Sequence, residues 1–362
     1  MKGVQSMNES EKLLSEFSQM FFFKDFVQDN LLFTPKGGTQ RELADLLINL
    51  GDIIIAIQLK SRNEKDKTRD QSQEDKWLKK QCKAAKSQVK DTIEFIKGSE
   101  LPVFSNNRNK MIRVNSASAI IPIVVFENDA INEYPHVLVK HSDDGMDINC
   151  MSFPDFQTMC KVLVTPIEIV SYLQYRQQVF LANPQVYLSV FVDENENWVF
   201  AKPMRNESLV HQFLVKEYDV QIMQENNDYL LDFQDFLHAL PDHTVLESEE
   251  EAHFSILHFL AHFKRIEIKT FLERVHLAKK ISREGETKVV GSIRKEDVKY
   301  VVFFVASKTG EVFQTDYLLE LARRKTDVAK LLQVIVFWES DEEFRIDFVF
   351  WGKNPHQEEK KL

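Results

Sequence analysis

Asp45, Gln58 and Lys60 are the residues of this chain whose types and spacing point to chemistry. They lie in two apolar runs, 43–50 and 53–59, joined by Gly51-Asp52, a two-residue loop that favours a tight β-hairpin. If Leu50 pairs with Ile53, cross-strand partner numbers sum to 103 and Asp45 stands opposite Gln58. Opposed side chains on antiparallel strands lie roughly 4.5–5.5 Å apart, and alternate residues share a face, so Lys60 joins them. Three polar groups on one face of an oily hairpin are costly unless they have work to do. A carboxylate supplies charge, an amide oxygen supplies a neutral ligand, and an ammonium orients water or offsets growing negative charge. Together these are the parts of metal-assisted hydrolysis on oxygen ligands.

The pattern resembles the PD-(D/E)xK nuclease superfamily, with Gln58-Leu59-Lys60 standing where that family has (D/E)xK and Ala44 where it has Pro before the aspartate. A QxK variant is familiar in the Mrr-like type IV restriction nucleases. The resemblance covers about the first half of the chain. It implies a restriction-endonuclease-like αβββαβ core, Mg²⁺ or Mn²⁺ on Asp45 and Gln58, and catalysis by Asp45, Gln58 and Lys60. With Gln at 58 one carboxylate is missing, and the family's first-helix glutamate maps best to Glu16, as a catalytic residue and metal ligand. Glu42 is the reserve, although strand parity turns it away from Asp45.

A segment of alternating charge, Ser61–Lys76, predicts a mobile loop before a helix over about Lys76–Lys97. Leu78, Cys82, Ala85, Val89, Ile93 and Ile96 form its apolar stripe, and Lys79, Lys83, Lys86, Lys90 and Lys97 a basic one. These lysines, with Gln88, are candidate nucleic-acid contacts, and Lys83-Ala84 with Gln88 resembles a KA..Q pattern in some members of the family. Residues 60–90 hold eleven Lys/Arg against five Asp/Glu, a local net of +6 within a chain of net charge −10. An acidic body with one basic patch can focus a polyanion onto a cleft but does not favour unspecific coating.

The first helix should begin at Asn8, capped reciprocally by Glu11, with Leu13, Phe17, Met20 and Phe21 facing the core. Ala119–Glu127 reads as a buried strand, Asp147–Met151 as another, and Phe153–Leu163 as a helix. Thr165-Pro166 with Glu168 opens one more helix. The stretch LVTPIEIVSYLQYR resembles a TP.DF..YL..R segment of bacterial proteins with a nuclease-like half. A break near 181–185 divides the chain into a nuclease-like domain, 1–180, and an α+β domain, 186–362, for sensing, docking or oligomerisation through a partner protein or a second copy. The fold class is α/β, α+β overall. His258 and His262 have metal-ligand spacing but no evident third ligand.

At 362 residues the chain should hold two domains. No apolar run is long enough for a membrane span, and three unclustered cysteines argue against a disulfide framework or zinc cage. Ten glycines and no phosphate-cradling loop argue against a nucleotide-driven motor or a dehydrogenase. These features predict a soluble cytoplasmic protein without membrane contact. The family resemblance implies a metal-dependent endonuclease acting on nucleic acid, DNA before RNA, in defence against foreign DNA such as phage. The competing reading is a non-catalytic scaffold that binds nucleic acid or protein.

Overall fold

The computed structural model describes residues 8–33, 41–62, 71–98, 103–105, 111–113, 116, 118–128, 139–141, 147–182, 190–192, 198–200, 206–219, 228–243, 250–295, 299–310, 313–314, 317–318, 320–321, 330–339 and 344–352. The chain folds as two compact units of mixed α and β structure, Met1–Glu225 and Asn226–Leu362.

In the first unit, Asn8 caps α1 (Glu9–Phe22): its Oδ1 accepts the Glu11 N–H at 2.9 Å, and Glu11 Oε2 accepts the Asn8 N–H at 2.9 Å. The helix buries Leu14, Ser15, Ser18, Phe21 and Phe22, so the stripe expected through Leu13 and Met20 is misplaced; these two are 47% and 51% exposed. Two of the five buried positions are serines, which a hydrophobicity pattern passes over. Ser15 earns its place by donating to Asp29 Oδ2 at 2.6 Å.

Three antiparallel strands follow: β1 (Val27–Phe33), β2 (Arg41–Asn49) and β3 (Ile53–Ser61). After α2 (Gln71–Gly98) and a small ribbon of β4 (Val103–Ser105) and β5 (Met111–Arg113), β6 (Ala119–Glu127) runs parallel to β3. The strands β7 (Val139–His141) and β8 (Asp147–Ser152) complete a six-stranded sheet of order β1-β2-β3-β6-β8-β7. Pro122 is tolerated inside β6 because β8 begins to pair one residue later, at Ile123↔Asn149.

The apolar stripe of α2 is the predicted one. Leu78, Ala85 and Val89 pack on Val124, Phe126, Ile148 and Cys150, while Ile96 packs on Leu31, Leu43, Leu47 and Ile54. The helix therefore crosses the sheet from β6 and β8 toward β1 and β2. It starts at Gln71, so residues 71–76 are helix where a loop was expected; residues 63–70 lie outside the described residues.

Next come α3 (Phe153–Leu163), α4 (Pro166–Ala182), β9 (Val190–Val192), β10 (Trp198–Phe200) and α5 (Asn206–Glu217). Glu168, Tyr172 and Arg176 recur every fourth residue on one buried face of α4. The Tyr218 hydroxyl bonds Glu168 Oε1, the Tyr172 hydroxyl bonds Asn206 Oδ1, and Arg176 Nη2 donates to Cys150 O at 2.9 Å. This polar seam ties α5 to α4 and explains why the first unit continues to Glu225 instead of ending near 181–185.

The second unit has α6 (Asp228–His243), α7 (Glu250–Ala261), α8 (Arg265–Arg283) and β11 (Lys288–Lys295), β12 (Tyr300–Ser307), β13 (Lys330–Trp338) and β14 (Phe344–Gly352) in that order across one sheet. Here β12 and β13 are parallel and both outer pairs antiparallel. Phe271 of α8 packs edge-on against Phe304 at 5.1 Å, and Lys295 is buried between Glu267 Oε2 at 2.9 Å and His262 O at 2.8 Å. His262 Nδ1 lies 2.7 Å from His258 O, one turn back. Helix, hairpin and a crossover to a parallel strand thus recur in this unit, but β12 reads YVVFFVAS and carries no acid or amide.

Gln28, fully buried opposite Leu47, has no hydrogen bond at either side-chain atom. A buried amide without partners costs about 1–3 kcal/mol. Gln28→Met should therefore raise unfolding free energy by about 1–2 kcal/mol, read from urea denaturation. A loss of stability would show that this amide is satisfied in solution.

Candidate active site

The β2–β3 hairpin adopts the register expected from its turn. The pairs Asn49↔Ile54, Ile48↔Ile55, Leu47↔Ala56 and Leu46↔Ile57 all sum to 103. Gly51 supplies the positive φ of 89° that the turn needs. Asn49 Oδ1 accepts the Gly51 N–H at 3.0 Å, and Ser118 Oγ donates to Gly51 O at 2.7 Å.

The backbone ladder then stops one residue before Asp45 would pair with Gln58. Asp45 Oδ2 accepts the Leu59 N–H at 2.5 Å, so a carboxylate takes the place of a backbone carbonyl. β3 stays paired with β6 as far as Ser61↔Glu127. Lys60 Nζ lies 3.7 Å from Asp45 Oδ2, 3.4 Å from Gln58 Oε1 and 3.0 Å from Leu59 O. Asp45 and Gln58 are both buried. The structure therefore brings the three sequence-predicted residues together.

Glu42, exposed near the start of β2, feels the charges of Asp45 and Lys60. The β1–β2 register slips between Leu31↔Ala44 and Leu32↔Glu42, leaving Leu43 unmatched as a bulge. Bulges re-aim side chains. This one is pinned by Thr92 of α2, whose hydroxyl donates to Leu43 O. Burial of its carboxyl, then the charge of Asp45, then that of Glu11 push the Glu42 pKa up to about 7, with Lys60 opposing. Glu42 as a residue is exposed, so water screens part of this effect. Burial also raises the Asp45 pKa; the Lys60 charge and the Leu59 N–H pull it back, and Glu11 adds to the rise.

Glu16 does not belong to this group. It is exposed and pairs with Lys12, 3.7 Å away, one turn earlier on α1. The first-helix glutamate whose charge reaches Asp45 and Glu42 is Glu11, on the face of Ser15, Ser18 and Phe22. The spacing 11, 15, 18, 22 was available in the sequence, but serines at two of the four positions masked the face. Glu11 thus serves both the helix cap and the field of the site.

On α2, Lys79, Lys83, Lys90, Lys97 and Gln88 are exposed and Lys86 is half-buried. Lys90 pairs with Glu94 at 3.9 Å. A second group went unseen in the charged segment after Lys60. Arg62 Nη1 lies 2.5 Å from Glu74 Oε2, which also accepts from Asn128 Nδ2 at 2.6 Å, and the Arg62 guanidinium covers Trp77 at 5.4 Å. Glu74 is 1% exposed. Opposite charges buried as a pair look like a solvated run to any hydropathy reading. The knot ties the end of β3 to α2 and to the end of β6. Trp77 packs against the core beneath it.

The donors that Asp45 and Gln58 offer at the site are oxygens, a carboxylate and an amide carbonyl. Such a set suits a hard divalent cation. The cysteines are free, and burial pushes the Cys160 thiol well above its ordinary pKa, away from nucleophilic use. No helix among the described residues is long and apolar enough to cross a membrane. No protein-family model, curated protein or solved structure matches the chain.

A carboxyl whose folded-state pKa is raised makes the folded state the better proton binder. The stabilisation from its protonation is complete below the unfolded value, near 4.5 for Glu42, and is lost as pH rises through about 7. The urea midpoint of the wild type should therefore fall relative to Glu42→Gln between pH 4.5 and 7. A constant difference across that window would show that the Glu42 carboxyl is neither desolvated nor raised by the charge of Asp45. Separately, Glu74→Ala leaves Arg62 buried and unpaired and should cost about 3–5 kcal/mol. Glu16→Ala should cost less than about 1 kcal/mol, which thermal and urea unfolding will distinguish.

Proposed function

We propose that the chain is a Mg²⁺- or Mn²⁺-dependent nuclease of the PD-(D/E)xK type, with DNA favoured over RNA, acting in bacterial defence against foreign DNA. The observation that carries the reading is the convergence of Asp45, Gln58 and Lys60 where β2 leaves β3. The sheet order and the helix, three strands, helix, strand sequence of the first unit support it as well. Asp45 and Gln58, with Glu42 beside them, would hold the cation. When bound, it would polarise a phosphodiester and favour hydroxide at neutral pH.

The protein's own groups supply the rest. Lys60 offsets negative charge growing on the non-bridging phosphoryl oxygens. Leu59 holds Asp45 in place through its N–H. The exposed lysines of α2 give the phosphate backbone a positive track, and the second unit contributes docking or oligomerisation.

A second reading, a non-catalytic binding scaffold, draws on the neutral Gln58 and on the Asp45 carboxylate already being used as a strand-ending acceptor. The two readings part in one assay. Plasmid, linear and single-stranded DNA and RNA are incubated with Mg²⁺ or Mn²⁺ beside Asp45→Asn and Lys60→Ala. The nuclease reading expects cleavage by the wild type and a loss of about 10²-fold or more in each variant. Cleavage that persists in both variants, or binding without any cleavage, contradicts it.

A further inference from the structure

We propose that Lys60 is the resident counter-cation of this site, and that a divalent metal binds only by displacing its ammonium from Asp45 and Gln58. The inference deepens the nuclease reading and rests on it. The Lys60 Nζ sits 3.7 Å from Asp45 Oδ2 and 3.4 Å from Gln58 Oε1, the same two oxygens that would ligate a metal. An ion seated on those oxygens would face the ammonium across about 3–4 Å, a strong repulsion where water is scarce. Water is scarce here: the Lys60 and Asp45 side chains are 13% and 7% exposed.

The neutral residue at 58 sharpens the competition. A carboxylate there would add charge enough to hold lysine and metal together. With Gln58 neutral, Asp45 alone carries the direct ion pair with Lys60. Lys60 can leave because its ammonium ends a flexible four-carbon stem. Its third partner, Leu59 O at 3.0 Å, is a neutral carbonyl. The site is then held shut by its own side chain and opens in proportion to free metal. The lysine displaced on opening is the one needed against charge on the phosphate, so metal entry and the arming of Lys60 become one event.

The test is calorimetric titration of the full chain with Mn²⁺ at fixed pH and salt, using wild type, Lys60→Gln, Asp45→Asn and the double variant, with folding checked by circular dichroism. The expected result is weak binding of one ion to the wild type and binding at least about tenfold tighter to Lys60→Gln. Asp45→Asn and the double variant should lose it. If Lys60→Gln binds no tighter than the wild type while Asp45→Asn loses binding, the displacement is wrong and the metal site stands. If folded wild type and Lys60→Gln both fail to bind, or if Asp45→Asn binds as well as the wild type, both the displacement and the metal site at Asp45 fall.

Discussion

One hydrogen bond sets the form of the site: the Leu59 N–H donating to the Asp45 carboxylate. A strand normally continues its ladder through backbone carbonyls. Here a side chain takes the donor, and β2 is released from β3 just where the polar residues begin. β3 does not follow, because its other edge is held by β6 through Ser61. The site therefore has one side, with Gln58 and Lys60, held in place by β6, and one side, with Asp45, no longer paired to β3. Without that substitution of acceptor, Asp45 would be an ordinary cross-strand neighbour of Gln58.

The surrounding structure stabilises this arrangement from two sides. The bulge at Leu43 is caught by Thr92, whose one hydroxyl hydrogen is shared between Leu43 O and Gln88 O one turn back on α2. Beyond Lys60, the Arg62–Glu74–Asn128 knot clamps the end of β3 to α2 and β6. Charge is balanced on a small scale. Burial is the main reason the Asp45 and Glu42 carboxyls shift upward; the charge of Glu11 adds to it and the Lys60 ammonium opposes it.

Much of this was legible in the sequence where local rules act alone. The Gly51-Asp52 turn fixes its register, the apolar stripe of α2 has a clean helical period, and β6 is a run with few alternatives. Legibility ended where tertiary contacts override a pattern. Ser15 and Ser18 are core positions on α1, so the buried face, and Glu11 with it, was displaced onto Leu13 and Glu16. The irregularity at Leu43 interrupts the strand pairing from which the parity of Glu42 was counted. The charges after Lys60 include a buried pair, and α5 rejoins the first unit through hydroxyl and amide contacts that carry no hydropathy signal.

We propose that the oxygens of Asp45 and Gln58 form a cation site where β2 parts from β3. Anomalous diffraction from crystals soaked in Mn²⁺ tests it most directly. One strong peak is expected within bonding distance of Asp45 and Gln58, with the Leu59 N–H still on Asp45 and the Lys60 ammonium moved away. A well-ordered Asp45–Lys60 pair with no peak beside it, at saturating Mn²⁺, would contradict the account.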